Sequence, residues 1–278
     1  MKITESQKHV IDDLVCERLC SNPMNRVVVQ NFCNKRNDGI ATTLREKAWN
    51  EDTEGAIAYY VVKSAAGEVL FFFSLKCGGL HYPLDNGYGN LFEKISKILK
   101  KLSEDGADLA DKDAAKLMIE KIRSGFGLSK DDVLQLLKKE KMEREIELEN
   151  GNINRVGFTH SGIELVHFCE NDGAKDFWKA FGMPHSLGVV VFWAKIVPIV
   201  LSVMDFIGCK YLFLFAADSS SDGRLINYYM NRLHFEIPND IGTSKPLYDL
   251  CCKFMCQETK NLKRDAEQFF EEFNLEMV

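Results

Sequence analysis

The strongest patterning along the chain lies in two runs around Gly67. "AIAYYVVKS" and "VLFFFSLKC" are rich in β-branched and aromatic residues and are joined by "AAGE", which predicts a β-hairpin. Upstream, Val10, Leu14 and Val15 form an apolar stripe that predicts a helix from His9 to Leu19, ending near Ser21-Asn22-Pro23. Leu44 and Ala48 stand four apart and predict a second short helix from Ile40 to Trp49. After the hairpin, Gly78, Gly79, Pro83 and Gly87 break the pattern.

From Leu91 to Asn150 the texture becomes charged and amphipathic. Helical segments are expected near Leu91 to Leu102, Ala110 to Ser124 and Ser129 to Glu149, the last starting with Ser129 and Asp132 three residues on. Acidic and basic residues nearly balance there, so the block reads as a helical insertion or lid rather than an anion-binding surface.

The remainder alternates. "GIELVHFCEND" predicts a strand with a polar end, followed by a loop rich in Gly, Lys and Pro. "LGVVVFWAKIVPIVLSVMDFIG" predicts a long buried helix that Pro198 kinks or distorts in its first half. "CKYLFLFAAD" is apolar at almost every position, as a central strand would be. "LINYYMNRLHFE" predicts a helix, "CKFMCQETK" a strand and "LKRDAEQFFEEFN" a closing helix. Such alternation implies an α/β or α+β domain around a mixed sheet, residues 1–278 forming one domain with the insertion at 91–150 inside it.

Composition narrows the class. With 278 residues, 46% hydrophobic and 27% charged, the chain can bury a sizeable core, and 19 phenylalanines suit an aromatic-lined core or groove. A formal charge of −6 with no long basic run argues against a broad nucleic-acid face. The start has no apolar signal core, and Leu187 to Ile207 contains Lys195, Pro198 and Asp205, so a cytoplasmic protein without a membrane span is expected. Nine cysteines show no disulfide framework, and Cys251, Cys252 and Cys256 lack the usual zinc spacing, so reduced thiols and no metal are expected.

The order of three stretches resembles the GCN5-related N-acetyltransferase (GNAT) family. They are the region from "QNFCNKRNDGIATTLREKAWNEDTEG" through the hairpin, the strand "ELVHFC" leading by a helix to "YLFLFAAD", and "LINYYMNRLHFE", which looks like the family's tyrosine-bearing helix. The resemblance implies a mixed sheet that splays beside its fourth strand, acetyl-coenzyme A in the gap as cosubstrate, and pyrophosphate on the amides that begin the following helix. It also implies transfer of an acetyl group to an amine acceptor. The family's glycine-rich loop is replaced here by "ENDGAKDFWKAFGMPHSLGVVVFW".

Free N–H groups around Leu187, Gly188 and Val189 would face an anion, with Gly188 permitting close approach and His185 and Ser186 donating further hydrogen bonds. By the resemblance, Phe168, Cys169 and Asn227 are further cofactor contacts. Lys175 or Lys179 would add charge. The bland alternative is that Gly188 simply starts a buried helix and these polar groups face water.

Acyl transfer also needs an acid for the departing thiolate and a base for the amine. Tyr228 and Tyr229 differ in direction by about 100°, so only one can fill the acid position that the resemblance implies. In the family the tyrosine stands five residues before the aromatic that ends the turn, and five before Phe235 is Met230. One extra residue in "YMNRLHF" restores Tyr229, which is preferred over Tyr228. The base candidates are His167 and Glu170; ideal strand alternation sets Glu164 with Glu170 on one side and His167 with Cys169 on the other. Cys169 beside His167 also allows a thiol-dependent hydrolase. A noncatalytic GNAT-like domain binding a coenzyme A-type ligand or a protein partner, and a structural domain built on the insertion, complete the alternatives.

Overall fold

The computed structural model describes residues 3–81, 120, 123–124, 144–147, 153–156, 159–218, 220, 222–238, 241–243 and 252–271. It divides into two compact units. The first comprises Met1–Gly79, His160–Pro238 and Thr243–Val278; the second comprises Leu80–Thr159 and Asn239–Gly242 and contains the segment read as an insertion.

The first unit starts with α1 (Glu5–Asp12), where the Thr4 side chain and Gln7 form a reciprocal capping box. Here the expected helix from His9 to Leu19 gives way: β1 (Val15–Arg18) pairs antiparallel with Tyr60–Lys63. A four-residue edge strand with an open partner edge beside it wins over the local helical stripe. Short helices α2 (Asn25–Val28), α3 (Asp38–Glu46) and α4 (Ala48–Thr53) follow, so the second predicted helix is present but broken at Lys47. The Asn37 side chain accepts from Ile40 N–H and starts α3.

The predicted hairpin is β2 (Ala58–Lys63) and β3 (Val69–His81). Gly67 turns it at φ +84. Contrary to expectation, Gly78 and Gly79 do not end the pattern, because β3 runs through them. A Cβ on Gly78 would stand 2.4 Å from Phe213 Cζ, so glycine is there to admit that ring.

In the second unit, β4 (Arg144–Glu147) pairs antiparallel with β5 (Ile153–Val156). The end of the segment expected to be helical from Ser129 to Glu149 is therefore a strand. Glu120, Arg123 and Ser124 are helical, and Ser124 Oγ donates to Glu120 O at 2.9 Å. The other predicted insertion helices lie outside the described residues.

β6 (Thr159–Glu170) returns the chain to the main sheet. The Gly- and Lys-rich stretch after it holds a helix that the pattern did not suggest, α5 (Ala174–Ala180), anchored by buried Trp178, whose Nε1–H donates to His185 O at 2.7 Å. The long apolar helix is α6 (Leu187–Val191), a π-helical turn at Phe192–Ile196, and α7 (Val197–Met204). Pro198 lacks the N–H that would bond one turn back, and the widened turn lies directly before it, as the sequence predicts. By length and composition this helix could cross a membrane, yet Leu187–Trp193 excepting nothing, and Ile196, Val197 and Val200, are buried in the core.

β7 (Tyr211–Ala216), α8 (Arg224–Leu233), β8 (Lys253–Glu258) and α9 (Thr259–Glu271) complete the chain as predicted. The six-stranded sheet has the order β1-β2-β3-β6-β7-β8, with β6 and β7 parallel. One core cluster gathers Phe71, Phe73, Trp193, Ile196 and Leu262; the other gathers Tyr59, Val61, Phe72, Leu44 and Ala48. This is a mixed α/β fold, a central sheet flanked by helices.

Candidate active site where two strands part

β6 and β7 pair only through Gly162–Tyr211, Ile163–Leu212 and Glu164–Phe213. Both strands continue, β6 to Glu170 and β7 to Ala216, so beyond Glu164 they separate. The fourth strand of the sheet thus has an edge of backbone groups facing a gap, and such groups need water or a ligand as partner.

A cavity of about 730 Å³ occupies this region. Leu165, Val166, His167 and Phe168 of β6 line one side, and Leu214, Phe215 and Ala217 the other. Tyr229 and Leu225 of α8 close one end, while Thr43, Lys47 and Glu51 come from the α3–α4 region.

β6 is irregular at this point. Ile163, Leu165 and Phe168 share one core cluster, whereas His167 lies against Tyr59 and Phe72 of the other. Three residues instead of two separate Leu165 from Phe168 on the same side, so alternation slips by one residue at Val166. The expected opposition of Glu164 and His167 is therefore lost. Glu164 pairs with Lys76 at 3.1 Å, and Lys76 lines the cavity with His167.

The two tyrosines are separated by their surroundings. Tyr229 lines the cavity, its ring 6.4 Å from that of Phe168, and its hydroxyl has no hydrogen bond among the described residues. Burial pushes its pKa up, so the hydroxyl stays protonated at neutral pH. Tyr228 points to the start of α6: its hydroxyl is 3.5 Å from Ser186 Oγ, and burial raises its pKa to about 12. The end of α8 is widened. Phe235 N–H donates to Tyr229 O at 3.1 Å, six residues back, and His234 N–H donates to the same carbonyl. A Schellman close reaches back five residues, so this turn holds one more. His234 sits at φ 60, and Gln257 Nε2 and Trp193 Nε1 donate to the freed carbonyls of Leu233 and Arg232.

At the α6 start, Leu187, Gly188 and Val189 are buried, no side chain caps the helix, and the first intrahelical bond is Val190 N–H to Ser186 O. The first-turn amides are thus left without an acceptor among the described residues. Gly188 has a packing reason as well: a Cβ there would meet the Tyr228 hydroxyl at 2.7 Å and the Phe168 ring at 3.3 Å.

The remaining expected residues fall into different places. The His185 ring packs 5.2 Å from Phe269, and Ser186 is exposed. Asn227 is exposed, its Nδ2 donating to Asp222 O at 3.4 Å. Cys169 is buried, its thiol pushed up to about 12, which leaves it inert as a nucleophile at neutral pH. Glu170 is raised by burial and is absent from the described cavity wall. Lys175 is ion-paired with Asp172. His167 Nδ1 is 2.7 Å from Ser74 Oγ, and burial lowers its pKa to about 4, so the ring is neutral at pH 7 and a weak base.

Sequence reasoning missed Glu51, Lys47 and Lys76. Glu51 accepts a 2.5 Å hydrogen bond from the Tyr59 hydroxyl, and the Tyr59 ring stacks on His167 at 5.4 Å. Glu51 and Lys47 are one turn apart across the α3–α4 break, and no local motif marks them.

The strand order, the parting beside the fourth strand and the helix that follows it agree with the mixed, splayed sheet expected from the sequence. No protein-family model matches the chain, and no curated protein sequence matches it. Among solved structures, the chain is similar to a bacterial toxin at 12% identity and TM-score 0.48, with 91% of this chain and 95% of that one covered. It is similar to AtaTR bound with AcCoA at 11% identity and TM-score 0.46, covering 93% and 99%. For the KacTA–DNA complex the identity is 11% and the TM-score 0.47, again covering 93% and 99%.

Proposed function

We propose that this protein is an acyltransferase that moves an acetyl group from acetyl-coenzyme A to an amine. The observation that carries this reading is the parting of β6 from β7 onto a cavity of about 730 Å³ with the Tyr229 hydroxyl on its wall. The residues fit the cosubstrate: an unpaired strand edge at Leu165–Phe168 suits a pantetheine arm, and the amides of Leu187, Gly188 and Val189 suit a pyrophosphate. When bound, acetyl-coenzyme A supplies an activated thioester.

The chain's own groups then divide the work. Phe168 bridges the cavity and the α6 start, which aligns the two ends of the ligand site. Tyr229 donates a hydrogen bond, then a proton, to the departing sulfur. His167, neutral and held by Ser74, shapes the wall instead of carrying charge. The reaction belongs in the cytoplasm, in keeping with eight described cysteines that are free thiols.

Calorimetric titration with acetyl-coenzyme A, followed by thiol release in the presence of amines, tests the proposal. Saturable binding with amine-dependent release is expected. Binding without release for any amine would assign the domain to ligand recognition alone; no binding would overturn the reading.

A further inference from the structure

We propose that the acceptor is a protonated primary amine and that Glu51 receives both its charge and its proton. The inference rests on the acyl-transfer reading above and adds the group that this reading lacks. Tyr59 O–H donates to Glu51 Oε2 at 2.5 Å, which leaves Oε1 without a hydrogen bond among the described residues. Glu51 stands on the cavity wall supplied by α4, and Tyr59 beneath it is fully buried. Its backbone is fixed as well, since Ala56 and Ile57 N–H both donate to Glu51 O, at 3.0 and 3.3 Å.

The other titratable groups on the wall are less suited. Lys47 and Lys76 are cations, Lys76 being paired with Glu164. Tyr229 faces the sulfur in the proposed reaction, and Cys252 is a buried thiol. His167 is neutral, because burial disfavours its cation, and so carries no negative charge to attract an ammonium group. Glu51 is the carboxylate on this wall, so an ammonium group entering the cavity meets its opposite charge there. Lys47 and Lys76 repel any entering cation, so the attraction for an ammonium group has to come from Glu51 itself.

The protons balance. An ammonium gives one proton to the Glu51 carboxylate and becomes a free amine. Its nitrogen pair forms the C–N bond at the thioester carbonyl, and the C–S bond breaks with its electron pair on sulfur. The sulfur takes the Tyr229 proton, the nitrogen's second proton returns to the Tyr229 oxygen, and Glu51 releases its proton to water. Amide and thiol are the products.

Two probes of similar size test this: propylamine, almost fully protonated at pH 7, and trifluoroethylamine, mostly neutral there. Glu51→Gln keeps an acceptor for Tyr59 and is expected to bind acetyl-coenzyme A as the wild type does. It should lose about 10²- to 10⁴-fold in turnover with propylamine, recover that loss as pH rises, and change little with trifluoroethylamine. Glu51→Asp should restore part of the propylamine rate. Equal loss with both amines at every pH would overturn the proposal, as would wild-type rates in a folded Glu51→Gln protein. Wild-type protein that binds acetyl-coenzyme A yet acetylates neither probe would overturn it too. A wild type that binds no acetyl-coenzyme A would instead sink the acyl-transfer reading; propylammonium affinity that Glu51→Gln abolishes would then still support the amine site.

Discussion

The two edges of β7 differ although the strand is the same. Toward β8 it pairs at six successive positions, Tyr211 with Glu258 through Ala216 with Lys253; toward β6 it pairs at three. β propensity in β7 cannot account for this, since the same residues serve both edges. The difference lies in the partners. β8 keeps regular register, whereas β6 slips its alternation at Val166 just where the pairing ends. A forgone strand hydrogen bond gives up about 0.5–1.5 kcal/mol net, a modest loss beside the gain of backbone donors and acceptors presented to a ligand. One edge of β7 thus builds the sheet and the other opens onto the cavity.

The largest expected effect falls on the open edge. Tyr229→Phe keeps the ring among Phe168, Tyr228 and Phe235 and removes only the hydroxyl. Acetyl-coenzyme A affinity should hold while turnover falls by about 10²- to 10⁴-fold. Tyr228→Phe should be milder, because its hydroxyl faces Ser186. Steady-state rates and titration of both folded variants check this, and a larger loss at Tyr228 would exchange their roles.

A smaller effect, read in stability, concerns where the pairing stops. Phe213 is the last β7 residue paired to β6, and its ring lies over Gly78. A Gly78→Ala methyl group would stand 2.4 Å from that ring, which is itself buried and has to move to make room. Overpacking of this kind costs about 1–3 kcal/mol, measured as a lower urea midpoint. An unchanged midpoint would mean that the ring shifts freely.

The closed part of the molecule was legible from its own pattern, and the open part only through a resemblance. The hairpin, β7, β8, α8 and α9 follow from period and composition because each buries its own apolar pattern. Pro198 announced its distorted turn through missing backbone chemistry. β1 exists only because β2 offers an edge, and α5 is held by Trp178 inside a stretch that reads as a loop. The slip at Val166 adds a residue without any glycine or proline to signal it. Glu51 reaches the site through a turn and a break in the helix, so neither spacing nor periodicity could join it to His167. Tyr229 was singled out through a resemblance, and the structure places its ring on the cavity wall.

The smallest expected effect separates the two uses of Gly188. Its absent side chain could serve a ligand at the α6 amides or the tyrosine beside it, and the distances favour the tyrosine: 2.7 Å from an added Cβ to the Tyr228 hydroxyl. Gly188→Ala should therefore lower stability by about 1 kcal/mol as the hydroxyl is displaced from Ser186. Adding Tyr228→Phe removes the atom that collides, so the double variant should regain stability. Coupling of this kind is what a double-mutant cycle detects between residues in contact. Acetyl-coenzyme A affinity should return with it if Gly188 matters only through Tyr228. A stable double variant that still binds weakly would show instead that the ligand backbone approach requires glycine itself. That outcome would make the start of α6, like the open edge of β7, a stretch of main chain kept bare for a ligand.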